Sequence, residues 1–234
     1  MRLLVTRPLP DGERTAGALR AHGHDVLVAP VLRMEVLNCA LPDQAYAGII
    51  MTSANAARAI ATHPQRTKLT SLPVFAVGRH TARAAQGVGF PDVHCADGDR
   101  RDLTRLLRTR MEMSSRPLLY LTGEDRAGDI ELACVAIVTA VIYRMVKAQR
   151  LPAAIEIALA QAQIDGVLHF SRRSAQAYVE CARRADLLGR ALEPLHFCLS
   201  SQVAEPLATT DCTGIKIAPR PDEAALIELV NRAS

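Results

Sequence analysis

Three polar knots hold the residue types that can do chemistry. Thr52-Ser53-Ala54-Asn55 follows the apolar run GIIM (48–51), Ser171-Arg172-Arg173-Ser174 follows VLHF (167–170), and Ser200, Ser201 and Gln202 close HFCL (196–199) and lead on from it. Hydroxyl and amide oxygens at such places accept backbone N–H groups and cap the helix that follows. The carboxyl end of a parallel strand, feeding a helix, is also where open α/β sheets bind ligands. The two readings are compatible, because the free N–H groups of a helix start attract carboxylates whatever the side chain. Thr6 and Arg7 end the first β-like run, Gly78 and Thr81 follow VFAV, and Thr122, Gly123 and Arg126 follow LLYL. Arg7 and Arg126 are of the type that pairs with carboxylates, and a solvated surface arginine is the commoner reading of either one. Gly78 is either a point of close backbone approach to a ligand or an ordinary tight turn. His80 and His169 receive no catalytic role, and His169 reads as a core or sheet-face residue.

These residues need strands and helices to place them. Short β-like runs (LLVT, VLVA, GIIM, VFAV, LLYL, VLHF, HFCL, IKIA) alternate with stretches of helical spacing. In RRDLTRLLRTR, Leu103, Leu106 and Leu107 fall on one face. That alternation predicts parallel sheets covered on both sides. The chain also resembles itself. GIIMTSANAARAI pairs with GVLHFSRRSAQAY, and LPVFAVGRHTARAA pairs with PLHFCLSSQVAEPL. The first 30 residues match residues 116–144, which lie after the first repeat and not before it. The simplest layout sets one domain inside the other: an outer α/β domain from 1–34 and 146–234, and an inner one from 35–145. Linker strands are expected near 34–37 and 141–145 as an antiparallel pair.

Composition narrows the function. A chain of 234 residues suffices for one large domain or two of about 110. With no Trp and only 3% aromatics, its cores must be built from Leu, Val, Ile and Ala. The basic residues are nearly all arginine, with only Lys68, Lys147 and Lys216 as lysines; coding bias accounts for most of them, and a small polyanionic ligand stays open. The basic charge is spread out and lacks stacking platforms, which disfavours nucleic acid. No apolar run approaches the roughly 20 residues of a membrane span, and the N-terminus is too short in its apolar part for a secretory signal. Six scattered cysteines without a CxxC pair read as reduced, mostly buried thiols of a cytoplasmic protein with no metal site. No GxGxxG follows a strand, which argues against a nicotinamide enzyme.

Taken in order, LLVTRP (3–8), TSANAARA (52–59), VFAVGRHTARAA (74–85), the GF and DV of 89–93, VIYRMV (141–146), DGVLHFSRRSA (165–175) and PDEAALIELV (221–230) resemble the uroporphyrinogen-III synthase family over nearly the whole chain. The resemblance implies two similar parallel-sheet α/β domains joined by a two-stranded antiparallel ladder, with the active-site cleft between them. It implies cyclisation of hydroxymethylbilane, a linear tetrapyrrole polycarboxylate, with loss of water and inversion of the last pyrrole ring. No cofactor or metal, no membrane and no nucleic-acid partner are implied, and a monomer is expected.

Residue by residue, Tyr143 matches the family's ladder tyrosine and is the catalytic candidate. The alternative is a half-buried tyrosine at the domain junction. Ser53, Asn55 and Thr81 match polar positions lining the family's cleft, with Ser171 and Ser174 at the equivalent knot. The chain departs from the family at Ser200, where glycine is usual, at Val203, where threonine is common, and at Arg172, where proline is frequent. Ser201 or Gln202 then stands in for the missing hydroxyl. The helix after Gly123 is expected to be short and partly unravelled. A non-catalytic two-domain binding or regulatory protein for a carboxylated metabolite is the competing reading.

Overall fold

The computed structural model of the chain describes residues 1–37, 39–96, 100–111, 115–125, 130, 132 and 135–233, apart from the side chains of Arg100 and Met111. In chain order the elements are β1 (Arg2–Val5), α1 (Asp11–Ala21), β2 (Asp25–Val28), β3 (Leu32–Val36), β4 (Gly48–Met51), α2 (Ala54–Ile60), α3 (Arg66–Leu69), β5 (Val74–Val77), α4 (Gly78–Gly87), β6 (Val93–Ala96), α5 (Arg100–Met111) and β7 (Leu118–Gly123). There follow β8 (Ile137–Lys147), α6 (Ala153–Ala160), β9 (Gly166–His169), α7 (Arg172–Arg184), α8 (Leu188–Leu192), β10 (Leu195–Cys198), α9 (Ser201–Ala208), β11 (Ile215–Ile217) and α10 (Glu223–Arg232).

The chain divides into two compact units, residues 1–33 with 146–234, and residues 34–145. In the first, one sheet runs β11-β10-β9-β1-β2 with every pair parallel. In the second, the sheet runs β6-β5-β4-β7-β8 in parallel and adds β3 beyond β8. The two orders are the same once β9, β10, β11, β1 and β2 are set against β4, β5, β6, β7 and β8, which is the permuted repeat read from the sequence. β3 runs against β8. Leu37 N–H donates to the Ile142 carbonyl at 2.8 Å and Ala148 N–H to the Val31 carbonyl at 2.9 Å, so one partner number falls as the other rises.

The central strands are short, continuous apolar runs buried on both faces, as parallel sheets under helices require. Every residue of GIIM, LLYLTG and GVLH is buried. Leu103 and Leu107 are sealed beneath α5 and Leu106 packs beside them, so the face read from RRDLTRLLRTR is the packed one. Cys181 and Cys198 are buried free thiols, whereas Cys39, Cys95 and Cys212 are only half-buried. Burial is thus less general among the cysteines than composition implied, because those three lie towards the ends of strands or in loops. Cys134, and most of the segment where a short helix was expected after Gly123, lie outside the described residues. Among the described residues no helix is long and apolar enough to cross a membrane.

Among the parallel strands of each sheet, chain order reverses once: between β4 and β7 in the second unit and between β1 and β9 in the first. Strand carboxyl ends at such a reversal splay their following loops apart and leave a crevice. The loops flanking these two places begin with Thr52-Ser53 and Glu124, and with Thr6-Arg7 and Phe170-Ser171.

Candidate active site

Two phenols lie beside the strand-order reversal of the second unit. Tyr120, the third residue of β7, is buried, and its hydroxyl lies 3.0 Å from Thr52 Oγ1. Tyr143, on β8, is also buried and shares a side-chain hydrogen bond with Ser53. Burial pushes the Tyr143 pKa above the ordinary phenol value and outweighs the Ser53 hydrogen bond; the neighbouring Tyr120 and Asp125 push the same way. The phenol is therefore protonated at neutral pH and able to donate. Ser53 also caps α2, its Oγ accepting from Asn55 N–H at 3.2 Å. Asn55 Oδ1 accepts from Arg58 at 2.9 Å, and its amide N–H points to Met145 Sδ at 3.6 Å. Two sets of contacts thus meet the start of α2: Thr52 with Tyr120, which packs into one face's cluster, and Ser53 and Asn55 with Tyr143 and Met145, which pack into the other's. Sequence reading treated Thr52 only as a cap and missed Tyr120, although a lone tyrosine within an otherwise aliphatic run was a usable signal.

One strand over, α4 starts at Gly78, whose φ of 76° favours glycine and whose Cβ direction is open to 4 Å. No side chain caps this helix, and its first turn carries no acid. Its first N–H groups and the helix dipole form an electropositive end at the sheet's carboxyl edge. Thr81 is buried one turn into α4 and Thr122 is buried at the end of β7, so both hydroxyls lie beneath the edge. Arg126 lies outside the described residues.

The first unit's crevice is more fully occupied by its own groups. Thr6 is buried, and its hydroxyl donates to the Leu168 carbonyl at 2.9 Å, tying β1 to β9. Arg7 lies 4.6 Å above the Phe170 ring and pairs with Glu223 at 3.3 Å and Asp11 at 4.0 Å. Burial opposes the charge on Glu223, but Thr15, Arg14 and Arg7 together hold its pKa below the usual carboxylate range. Ser171 caps α7 through Ser174 N–H at 3.1 Å, with the two hydroxyls 2.8 Å apart. Ser200 caps α9 through Val203 N–H at 3.4 Å, and Ser201 and Gln202 stand exposed in its first turn. Arg172 pairs with Glu205 at 3.0 Å. The knots at Ser53, Ser171 and Ser200 therefore do cap helices.

The sequence profile of uroporphyrinogen-III synthase HemD matches residues 13–228. The chain belongs to the uroporphyrinogen-III synthase family. Members of this family are lyases of tetrapyrrole and haem biosynthesis, and the reaction is the cyclisation of hydroxymethylbilane. Among solved structures, the uroporphyrinogen-III synthetase of Helicobacter pylori is 17% identical, with a TM-score of 0.66 and full coverage of both chains. A mutant uroporphyrinogen III synthase of Thermus thermophilus is 16% identical, with a TM-score of 0.53, all of this chain covered and 98% of that one. At these identities the two structures speak for the shared fold. A search of curated protein sequences gave no match. Among the described residues no group of three or more His, Cys, Asp or Glu is placed to hold a metal ion.

Proposed function

We propose that this uroporphyrinogen-III synthase family member closes hydroxymethylbilane to uroporphyrinogen III with Tyr143 as the proton donor to the departing hydroxyl. The observation that carries the assignment is the Tyr143 phenol itself: buried, kept protonated, and hydrogen-bonded to Ser53 at the carboxyl edge of its sheet. As the C–O bond breaks, the hydroxyl takes the phenol proton and leaves as water, and the pyrrole nitrogen delocalises the positive charge left on carbon. The substituted carbon of the last ring then attacks and becomes a spiro centre. Its original bond to the neighbouring bridge carbon breaks, that bridge carbon re-bonds at the ring's free α-carbon, and loss of the proton from that carbon gives the type III product. The proton released from the substrate at closure restores the phenol.

Because the substrate is a polycarboxylate, binding falls to N–H donors at strand ends. The uncapped start of α4, with the open approach at Gly78, is the best placed of them. Asn55 and Thr122-Gly123 are the further binding candidates of the second unit. Ser171, Ser174, Ser200, Ser201 and Gln202, with Thr6 and Arg7, are the binding candidates of the first. Arg126 extends the set as a carboxylate partner. The reading takes the chain as a cytoplasmic monomer that needs no cofactor, the proton coming from its own side chain. A coupled assay that resolves type III from type I product tests it. The unaltered chain should give type III, and Tyr143→Phe should be slower.

A further inference from the structure

The Tyr143 ring is seated on a residue with no side chain. A Cβ added to Gly123 would stand 2.6 Å from Cζ, 2.7 Å from Cε2 and 3.0 Å from the hydroxyl oxygen of Tyr143. Non-bonded carbons settle at about 3.5–4.0 Å, so even a methyl group would displace the ring. Gly123 is not one of the described glycines with positive φ. Glycine is needed there for space and not for backbone conformation.

A second feature aims the ring at that space. The β7–β8 register runs Leu121↔Ala140 and Thr122↔Val141, then jumps to Gly123↔Tyr143, so that Ile142 is an extra residue in β8. Before the jump, Val138, Ala140 and Ile142 pack into one hydrophobic cluster and Ile137 into the opposite one. After it, Tyr143 and Met145 belong to the cluster of the even-numbered residues. Strict alternation would have sent Tyr143 to the other face. The bulge reverses the phase and lays the ring over Gly123, a re-aiming that bulges beside active sites commonly perform. Glu124 N–H donates to the Tyr143 carbonyl at 3.0 Å and fixes the backbone on the far side of the seat.

We infer that Gly123 is a positioning residue for Tyr143, its missing side chain and the bulge at Ile142 together setting where the phenol hydroxyl points. This rests on the assignment of Tyr143 as proton donor. It gives Gly123 a task separate from contact with substrate.

The test is a cycle of four chains: unaltered, Gly123→Ala, Tyr143→Leu and the double variant. A leucine stops short of the Cε2 and Cζ positions that a methyl at Gly123 would strike. Gly123→Ala should lower the denaturant midpoint when Tyr143 is present and leave it unchanged in the Tyr143→Leu background. With Tyr143 in place kcat should fall by ~10–100-fold, the scale of a small misplacement of a reacting group, while KM stays within about threefold. If Gly123→Ala alone fails to fold, recovery of folding in the double variant supports the seat. Equal destabilisation in both backgrounds overturns the inference, as does an unchanged kcat in Gly123→Ala. Tyr143→Phe keeps Cζ and Cε2, so a wild-type rate in that variant would remove the proton-donor reading while leaving the stability cycle intact.

Discussion

His169 Nε2 lies 3.0 Å from His196 Nδ1, and both rings are sealed in the interior of the first unit. The far nitrogen of His196 lies 3.1 Å from the Ala191 carbonyl, which can only accept. His196 therefore carries its hydrogen on Nε2, its Nδ1 accepts from His169 Nε2–H, and His169 Nδ1 is left a bare acceptor. That atom is buried and has no hydrogen-bond partner among the described residues. Tyr178 lies against both rings and spends its own hydroxyl on the Ala191 carbonyl at 2.9 Å. A proton added to the pair would find no acceptor.

Acid should therefore weaken this unit before most carboxylates titrate. Burial lowers the pKa of His196 to about 4, against a backbone hydrogen bond to Ala191 that raises it. Burial, with His196 alongside, drives His169 well below the ordinary value. Both pKa values are depressed on folding, so between pH 6.5 and about 4 the unfolded chain binds protons that the folded chain refuses. Stability contributed by the neutral pair is whole above pH ~6.5 and falls as pH drops through that window, by roughly 2 kcal/mol by about pH 5 for His196, with His169 acting in the same direction. Urea melts at about pH 7.5, 6 and 5 measure it, and His169→Asn should flatten the slope. The same slope in both chains would contradict the arrangement.

The Arg7–Glu223 pair, 3.3 Å apart and about four-fifths buried on both sides, should be coupled in stability. The pair sits in a network, since Glu223 also meets Thr15 and Arg14 at 2.6 Å and Arg7 keeps Thr15 and Asp11, so removing one partner weakens a mostly buried charge cluster without orphaning the other group. Glu223→Gln should cost about 1–3 kcal/mol, and less in an Arg7→Met background. A thermodynamic cycle from denaturant melts gives the coupling, and strict additivity would show that the pair contributes nothing.

Ser53, Thr81 and Ser171 should each tolerate alanine without loss of most activity. Thr81 lies below the edge, Ser171 is engaged in capping α7, and much of the recognition is assigned to backbone N–H groups that alanine keeps. Ser53→Ala should be the worst of the three because its hydroxyl also meets Tyr143. Steady-state kinetics of the three variants check the order. A Thr81→Ala enzyme slower than Tyr143→Phe would reverse it.

Much of this was legible in the sequence because parallel strands buried on both faces leave an unmistakable mark. GIIM and LLYL are uninterrupted runs of apolar and aromatic residues and VLHF is broken only by His169, and the hydroxyls that follow GIIM and VLHF announce a helix start. The permuted repeat was legible for the same reason. The Tyr143 seat was not legible, because the bulge at Ile142 breaks the two-residue alternation through register with β7, a long-range pairing that local pattern does not carry. Nor could sequence show that Arg7 is engaged by Glu223, which lies 216 positions away and reaches β1 only through the packing of α10. Thr6 and Thr122 read as edge hydroxyls, yet the tertiary fold buries both.

The most direct test of the central claim is isomer-resolved turnover of freshly generated hydroxymethylbilane. The unaltered chain should return type III uroporphyrinogen at a rate well above spontaneous closure, which gives type I. Tyr143→Phe should still return type III but at a rate lower by ~10²–10⁴-fold, the usual worth of a positioned general acid. Type I product alone from the unaltered chain, at the rate seen without protein, would contradict the account.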